Sequence, residues 1–163
     1  MLFRSTLYRI YSISGYNLAH IDVTAALCSE HDIKAADIES IEAVVNWLET
    51  QYPSPAFPVR REDLNRKPGS TAYHLAYAAA TRGYPMLGKW EPQTARADDP
   101  RGIPELTQRV SIVPSHTMGL FAPRITITTK DGKSYTKQGT GREFIWDYEE
   151  QAKRIREIGR AHV

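Results

Sequence analysis

The chain has 163 residues, 41% of them hydrophobic and 25% charged, the balance of one ordinary globular domain that can bury a core rather than stay disordered. Its 21 Lys and Arg are scattered among 19 Asp and Glu for a net charge of +2, and no basic run exceeds Arg60-Arg61 or Arg66-Lys67, which argues against nucleic-acid binding. The lone Cys28 excludes an intramolecular disulfide and a Cys-rich metal site. No run of about 18 apolar residues could span a membrane, and Met1-Leu2-Phe3-Arg4 lacks the apolar stretch of a secretory signal. A cytoplasmic protein away from membranes is expected.

Thr6 to Ile13 is aromatic and β-branched, the signature of a strand, and Ser14-Gly15 breaks it. Asn17 is a candidate cap for the next helix, in which Leu18, Ile21, Ala25 and Cys28 recur at helical spacing and predict one buried face. Asp37 and Ser40 bracket a turn into Ile41–Leu48. There Ile41, Ala43, Val45 and Trp47 alternate with more polar neighbours, as in a half-buried strand. Gln51–Pro68 holds four prolines and few periodic apolar positions, so a long loop or flap is expected.

A second helix is predicted from Ser70 to Arg82, with Tyr73, Ala76, Tyr77 and Ala80 on one stripe and Gly83 as its stop. A short helix over Pro104–Arg109 leads into a strand at Val110–Val113. The run Arg124–Tyr135 reads as a hairpin turning at Asp131-Gly132. In the last helix Asp147 is the cap, Glu149 and Glu150 fill the first turn, and Lys153, Arg154 and Arg156 follow, a polarity that suits the helix dipole. Tyr148, Ala152, Ile155 and Gly159 are expected on its inner side. The order predicts an α+β fold with an at least partly antiparallel sheet.

Read together, His20–Leu27, Glu30–Ile33 and Asp37–Val44 resemble the start of the C-terminal domain of the MmgE/PrpD family, and the Ser70–Gly83 helix and Pro123–Tyr135 hairpin resemble its later blocks in order. The resemblance covers Leu7 to Ile158 and rests on the conjunction of these blocks rather than on any single motif. That family includes 2-methylcitrate dehydratase, cis-aconitate decarboxylase and iminodisuccinate epimerase. It implies proton transfer or elimination beside a carboxylate, with no metal or organic cofactor. Family chains are longer, and their active site lies between a helical domain and the α+β domain. The resemblance therefore implies that a helical partner chain, or a second copy of this one, completes the assembly.

Such chemistry needs cations to hold carboxylates and a base that titrates near the working pH. The family's first-strand lysine matches Arg9, which can grip a carboxylate but cannot act as a base; the competing reading is a strand-edge arginine. A family histidine falls at Leu18, with His20 two residues later on a different helix face, so a partly exposed histidine competes with a catalytic one. The family's Ser-x-x-Tyr pattern places His74 in the tyrosine position, Thr71 in the serine position and Tyr73 beside them. His74 is the candidate proton carrier, against the alternative of a buried, satisfied histidine. Lys67 could meet a substrate anion near the helix start or be a solvated loop lysine. Tyr16 and Tyr73 complete the candidate substrate contacts.

Gly139-Thr140-Gly141-Arg142 superficially suggests a phosphate cradle but lacks the Walker spacing, and it reads as a strand-to-helix connection. The histidines His20, His31, His74, His116 and His162 show no metal-ligand spacing. Two functions remain: the α+β part of a lyase or isomerase of small di- or tricarboxylic acids, or a non-catalytic subunit that oligomerises through an exposed apolar face.

Overall fold

The alternation of Ile41, Ala43 and Val45 with Glu42 and Val44 produces strand β1 (Ile38–Asn46), the spine of the sheet in the computed structural model, which describes residues 10–11, 13–51, 70–85 and 99–160. β1 lies between β2 (Val110–Ser115), which runs parallel to it, and β3 (Arg124–Thr129), which runs antiparallel. β4 (Ser134–Gln138) completes the order β2-β1-β3-β4 as the outer arm of a hairpin. This mixed sheet with helices is the expected α+β architecture. Pro114 sits in β2, where an edge strand tolerates the missing N–H. The hairpin turns where expected: Gly132 takes φ 84°, a left-handed conformation that favours glycine, and Asp131 accepts from the Thr129 hydroxyl at 2.5 Å.

Helix α1 (Gly15–Glu30) is buried over much more than one stripe. Val23, Leu27 and Cys28 pack into the main core with Ile38, Ile41, Ile125 and Ile127, while Leu18, Ala19 and Ile21 join a second cluster with Tyr84 and Phe144. The single-face expectation fails because layers lie on both sides of the helix, and Ala25 is only half-buried. The helix begins earlier than expected, so Asn17 is not its cap. It lies inside the first turn, with its backbone N–H bonded to Ser14 O at 2.9 Å, and its side chain is buried.

Helix α2 (Thr71–Thr81) packs against α1 and starts at Ser70, whose hydroxyl accepts the Tyr73 N–H at 3.1 Å. Its stop is Arg82 rather than Gly83. Arg82 holds φ 62°, and its guanidinium donates to the carbonyls of Ala79 and Ile33, contacts that hold it in this left-handed cap. The buried stripe also differs from the expected one. Ala72, Leu75, Ala76 and Ala79 are fully enclosed, whereas Tyr77 and Ala80 are half-buried, so alanines set a close approach to the sheet layer.

Helix α3 (Ile103–Thr107) precedes β2 as expected, and the Arg109 guanidinium ties the junction by donating to Ile38 O at 2.6 Å. Trp47 does not continue β1. It lies in a short 3-10 turn, 40% exposed, stacked on His116 at 5.1 Å. Most of the strand expected over Thr6–Ile13 lies outside the described residues, and Ile10, Tyr11 and Ile13 are not in a strand. The expected loop over Gln51–Pro68 lies outside them too, apart from Gln51.

Helix α4 (Tyr148–Arg160) is capped by Asp147, whose Oδ1 accepts the Glu150 N–H at 2.8 Å. Two of the residues expected on its inner side face outward, Tyr148 at 85% and Ile155 at 53% exposed, while Ala152 is half-buried along with Glu150, Gln151 and Arg154. Arg154 decides the orientation: its guanidinium carbon lies 4.2 Å from the Trp146 ring centroid and 5.5 Å from that of Tyr84.

Candidate functional site

Asn17, His20 and Thr24 are spaced by three and four residues, so they follow one line along α1 and sink together into the protein. Asn17 Oδ1 accepts from the Thr71 hydroxyl at 3.0 Å and lies 3.4 Å from His20 Nδ1. This joins the first turns of α1 and α2. On the other side of the imidazole, Nε2 is 3.3 Å from Glu49 Oε2, and Glu49 Oε1 accepts the Phe121 N–H at 2.7 Å. The Thr24 hydroxyl donates to His20 O at 2.7 Å, fixing the backbone beneath the ring. Tyr16 flanks the imidazole, with ring centroids 6.1 Å apart.

The imidazole thus stands between two acceptors, an amide oxygen on its Nδ1 side and a carboxylate oxygen on its Nε2 side. His20 is fully buried and Glu49 only 4% exposed, so the expectation of a partly exposed histidine is overturned. Asn17 Nδ2, His20 Nε2 and Glu49 Oε2 make no hydrogen bond of good geometry among the described residues. Polar groups enclosed in this way weaken a core unless they serve something else.

His74 lies one turn after Thr71 on α2 and is 3% exposed, as the buried reading anticipated. Tyr73, with its ring 5.5 Å from that of His74, turns its hydroxyl to Asp99, whose two carboxylate oxygens each lie 2.9 Å away. The structure thus gathers Tyr16 and His20 with Thr71, and sets Tyr73 against Asp99. Arg9 and Lys67 lie outside the described residues.

Sequence reasoning missed Glu49 altogether, and no local pattern around Trp47-Leu48-Glu49 marks it. It also missed a second group on the opposite side of α1. There Asp22 lines a cavity of about 330 Å³ with Tyr11, Tyr84 and Arg154. Arg154 Nη1 lies 3.9 Å from Asp22 Oδ1, and its Nε donates to Glu150 at 2.7 Å. Tyr11 stacks on Tyr84 at 3.9 Å, and Trp146 meets both edge-on. Burial pushes the Asp22 carboxyl up to about 6, although the Tyr84 hydroxyl and Arg154 guanidinium pull the other way. An acid between Ile21 and Val23 in a buried helix was the available signal.

The glycine-rich turn at Gly139–Arg142 is already filled. Glu143 folds its own carboxylate into it and accepts the N–H groups of Thr140, Gly141 and Arg142 at 2.5 to 3.1 Å. Burial raises this carboxyl, but the backbone N–H groups of Thr140, Gly141 and Glu143 and the Thr140 hydroxyl outweigh it and leave it below the ordinary range. The cradle therefore holds an internal anion. Among the described residues, no three His, Cys, Asp or Glu side chains gather as metal ligands, and no helix is long and apolar enough to cross a membrane.

No protein-family model matches the chain, and no curated protein matches it.

Proposed function

We propose that this chain is the α+β part of a cofactor-independent lyase or isomerase of small di- or tricarboxylic acids, of the MmgE/PrpD kind, whose active site is completed by a separate helical chain. The observation that carries this reading is the polar cluster of Asn17, His20, Glu49 and Thr71, enclosed where the first turns of α1 and α2 meet. An imidazole set 3.3 Å from a carboxylate in an enclosed polar cluster is the kind of equipment general acid–base chemistry uses. In this reading His20 and Glu49 hold and orient the proton, and His74 is its carrier on the neighbouring helix. Arg9 and Lys67 grip the substrate carboxylates, with Tyr16 and Tyr73 beside them.

One specific observation favours the alternative of a non-catalytic subunit. His20 has no exposed surface and Tyr73 is engaged with Asp99, so both are spent inside the described fold. In that reading the cluster is a structural clamp. Exposed apolar groups for a partner lie at the end of β1 and β2, in Trp47, Leu48, Val113 and Leu120, and along α4.

Deuterium exchange separates the two. The chain, purified with whatever chain accompanies it in its native cells, is incubated in D2O with a panel of small di- and tricarboxylates. Exchange at the carbon beside a carboxylate is followed by NMR. Enzymatic function gives exchange that falls at least about 100-fold in His74→Ala, the scale of one general acid–base group. Absence of exchange and turnover with every acid, or full activity in His74→Ala, overturns the proposed roles.

A further inference from the structure

Helix α4 presents its sides the wrong way round for a surface helix. Its inward side is led by polar groups, with Ile158 beside them: Arg154 sits on Trp146 and beside Asp22, and Glu150 is bonded to Arg154. Its outward side carries exposed Tyr148 and Ile155, with half-buried Ala152 on the same line between them, spaced four and three residues apart as in the seam of paired helices. Ile145, 48% exposed, precedes this stripe. The insertion of Arg154 makes this orientation obligatory, because rotating the stripe inward would pull the guanidinium off both rings.

The charges beside the stripe identify its occupant. Glu149 and Arg156 are seven residues apart, about two helical turns, so they lie on the same flank of the apolar stripe but near opposite ends. Both are exposed, and neither makes an ion pair among the described residues, whereas Glu150 is engaged by Lys153 and Arg154. When two copies of one helix meet antiparallel, like flanks face each other with ends reversed. Glu149 of one copy then meets Arg156 of the other, and two-fold symmetry repeats the contact. The small Ala152 at the middle lets the backbones approach.

We propose that the outward face of α4 is a self-complementary interface, pairing antiparallel with α4 of a second copy of this chain around Ala152, with reciprocal Glu149–Arg156 contacts. The pairing uses one helix of about 20 Å, so it is a weak, concentration-dependent dimer rather than an obligate one. It goes beyond the proposed chemistry and does not depend on it.

Sedimentation of the full chain from about 5 to 500 µM tests this. The wild type shifts from monomer to dimer across the range, and Ile155→Glu stays monomeric throughout. Glu149→Arg and Arg156→Glu each weaken association at least tenfold, and the double exchange restores it. That restoration requires the two residues to meet across the interface, and folding defects cannot produce it. A wild type monomeric at every concentration, association unaffected by Ile155→Glu, or a double exchange that fails to restore it overturns the proposal. So does a monomer whose α4 binds vesicles of phosphatidylglycerol, which would assign the apolar stripe to a lipid surface.

Discussion

His20 Nε2 and Glu49 Oε2 meet at 3.3 Å with no more than 4% of either residue exposed, and this contact ties α1 to the turn that ends β1. An ion pair removed from water gains little net stability, yet loss of one partner strands the other. Glu49→Gln keeps an acceptor for the Phe121 N–H but removes the charge, and should cost about 3–5 kcal/mol in urea unfolding. His20→Gln should cost a similar amount. The double variant should cost clearly less than the two added together, by about 0.5–3 kcal/mol, the range of coupled neighbours. Strict additivity would show that the two residues do not interact.

Asp22 makes stability depend on pH in a defined direction. Its carboxyl is pushed up to about 6 by burial, from an ordinary value of 3.8, so between these values the folded state binds more protons than the unfolded one. Its contribution is therefore complete below about pH 4 and is lost as pH rises through 6. Two units correspond to about 3 kcal/mol. Asp22→Asn should leave stability near pH 4 little changed and raise it by up to that amount at pH 8. Urea unfolding of both proteins at pH 4, 6 and 8 measures it, and equal slopes against pH would refute it.

Arg154→Lys tests how α4 is held. Lysine keeps the charge near Asp22 but cannot lay a planar fork on Trp146 while bonding Glu150. A loss of about 0.5–2 kcal/mol is expected, the range for a partly desolvated cation on an indole. The Trp146 indole resonance should move in NMR spectra while the sheet amides stay in place. An unshifted indole would mean that α4 docks by other contacts.

The sheet was legible in the sequence because its signals are local. Alternation marked Ile41, Ala43 and Val45, and Asp131-Gly132 supplied the only residues suited to that hairpin turn. The cap at Asp147 follows from equally local chemistry, although the stop at Arg82 does not: its left-handed backbone is held by a carbonyl 49 positions away in sequence, that of Ile33. Orientation of the helices was less accessible. An apolar stripe predicts burial only if nothing polar competes for the interior, and on α4 the Trp146–Arg154 contact wins. The polar cluster was only partly legible. Residue type and family resemblance singled out His20 and His74, but Glu49 reaches His20 from a distant turn, and nothing adjacent to it in the chain announces a partner.

The two faces of the sheet differ in what a neighbour would find there. The helices cover the face of Ile41, Ala43, Ile125 and Ile127, whereas the opposite face carries hydroxyl pairs, Thr126 with Thr136 at 3.0 Å and Thr128 with Ser134 at 2.9 Å. A protein laid across those hydroxyls would displace bound water and would have to match each donor and acceptor to avoid a loss. Hydration thus protects the β3–β4 part of that face from adventitious adhesion. At the rim, by contrast, Trp47, Leu48 and Leu120 expose hydrocarbon that water gives up readily.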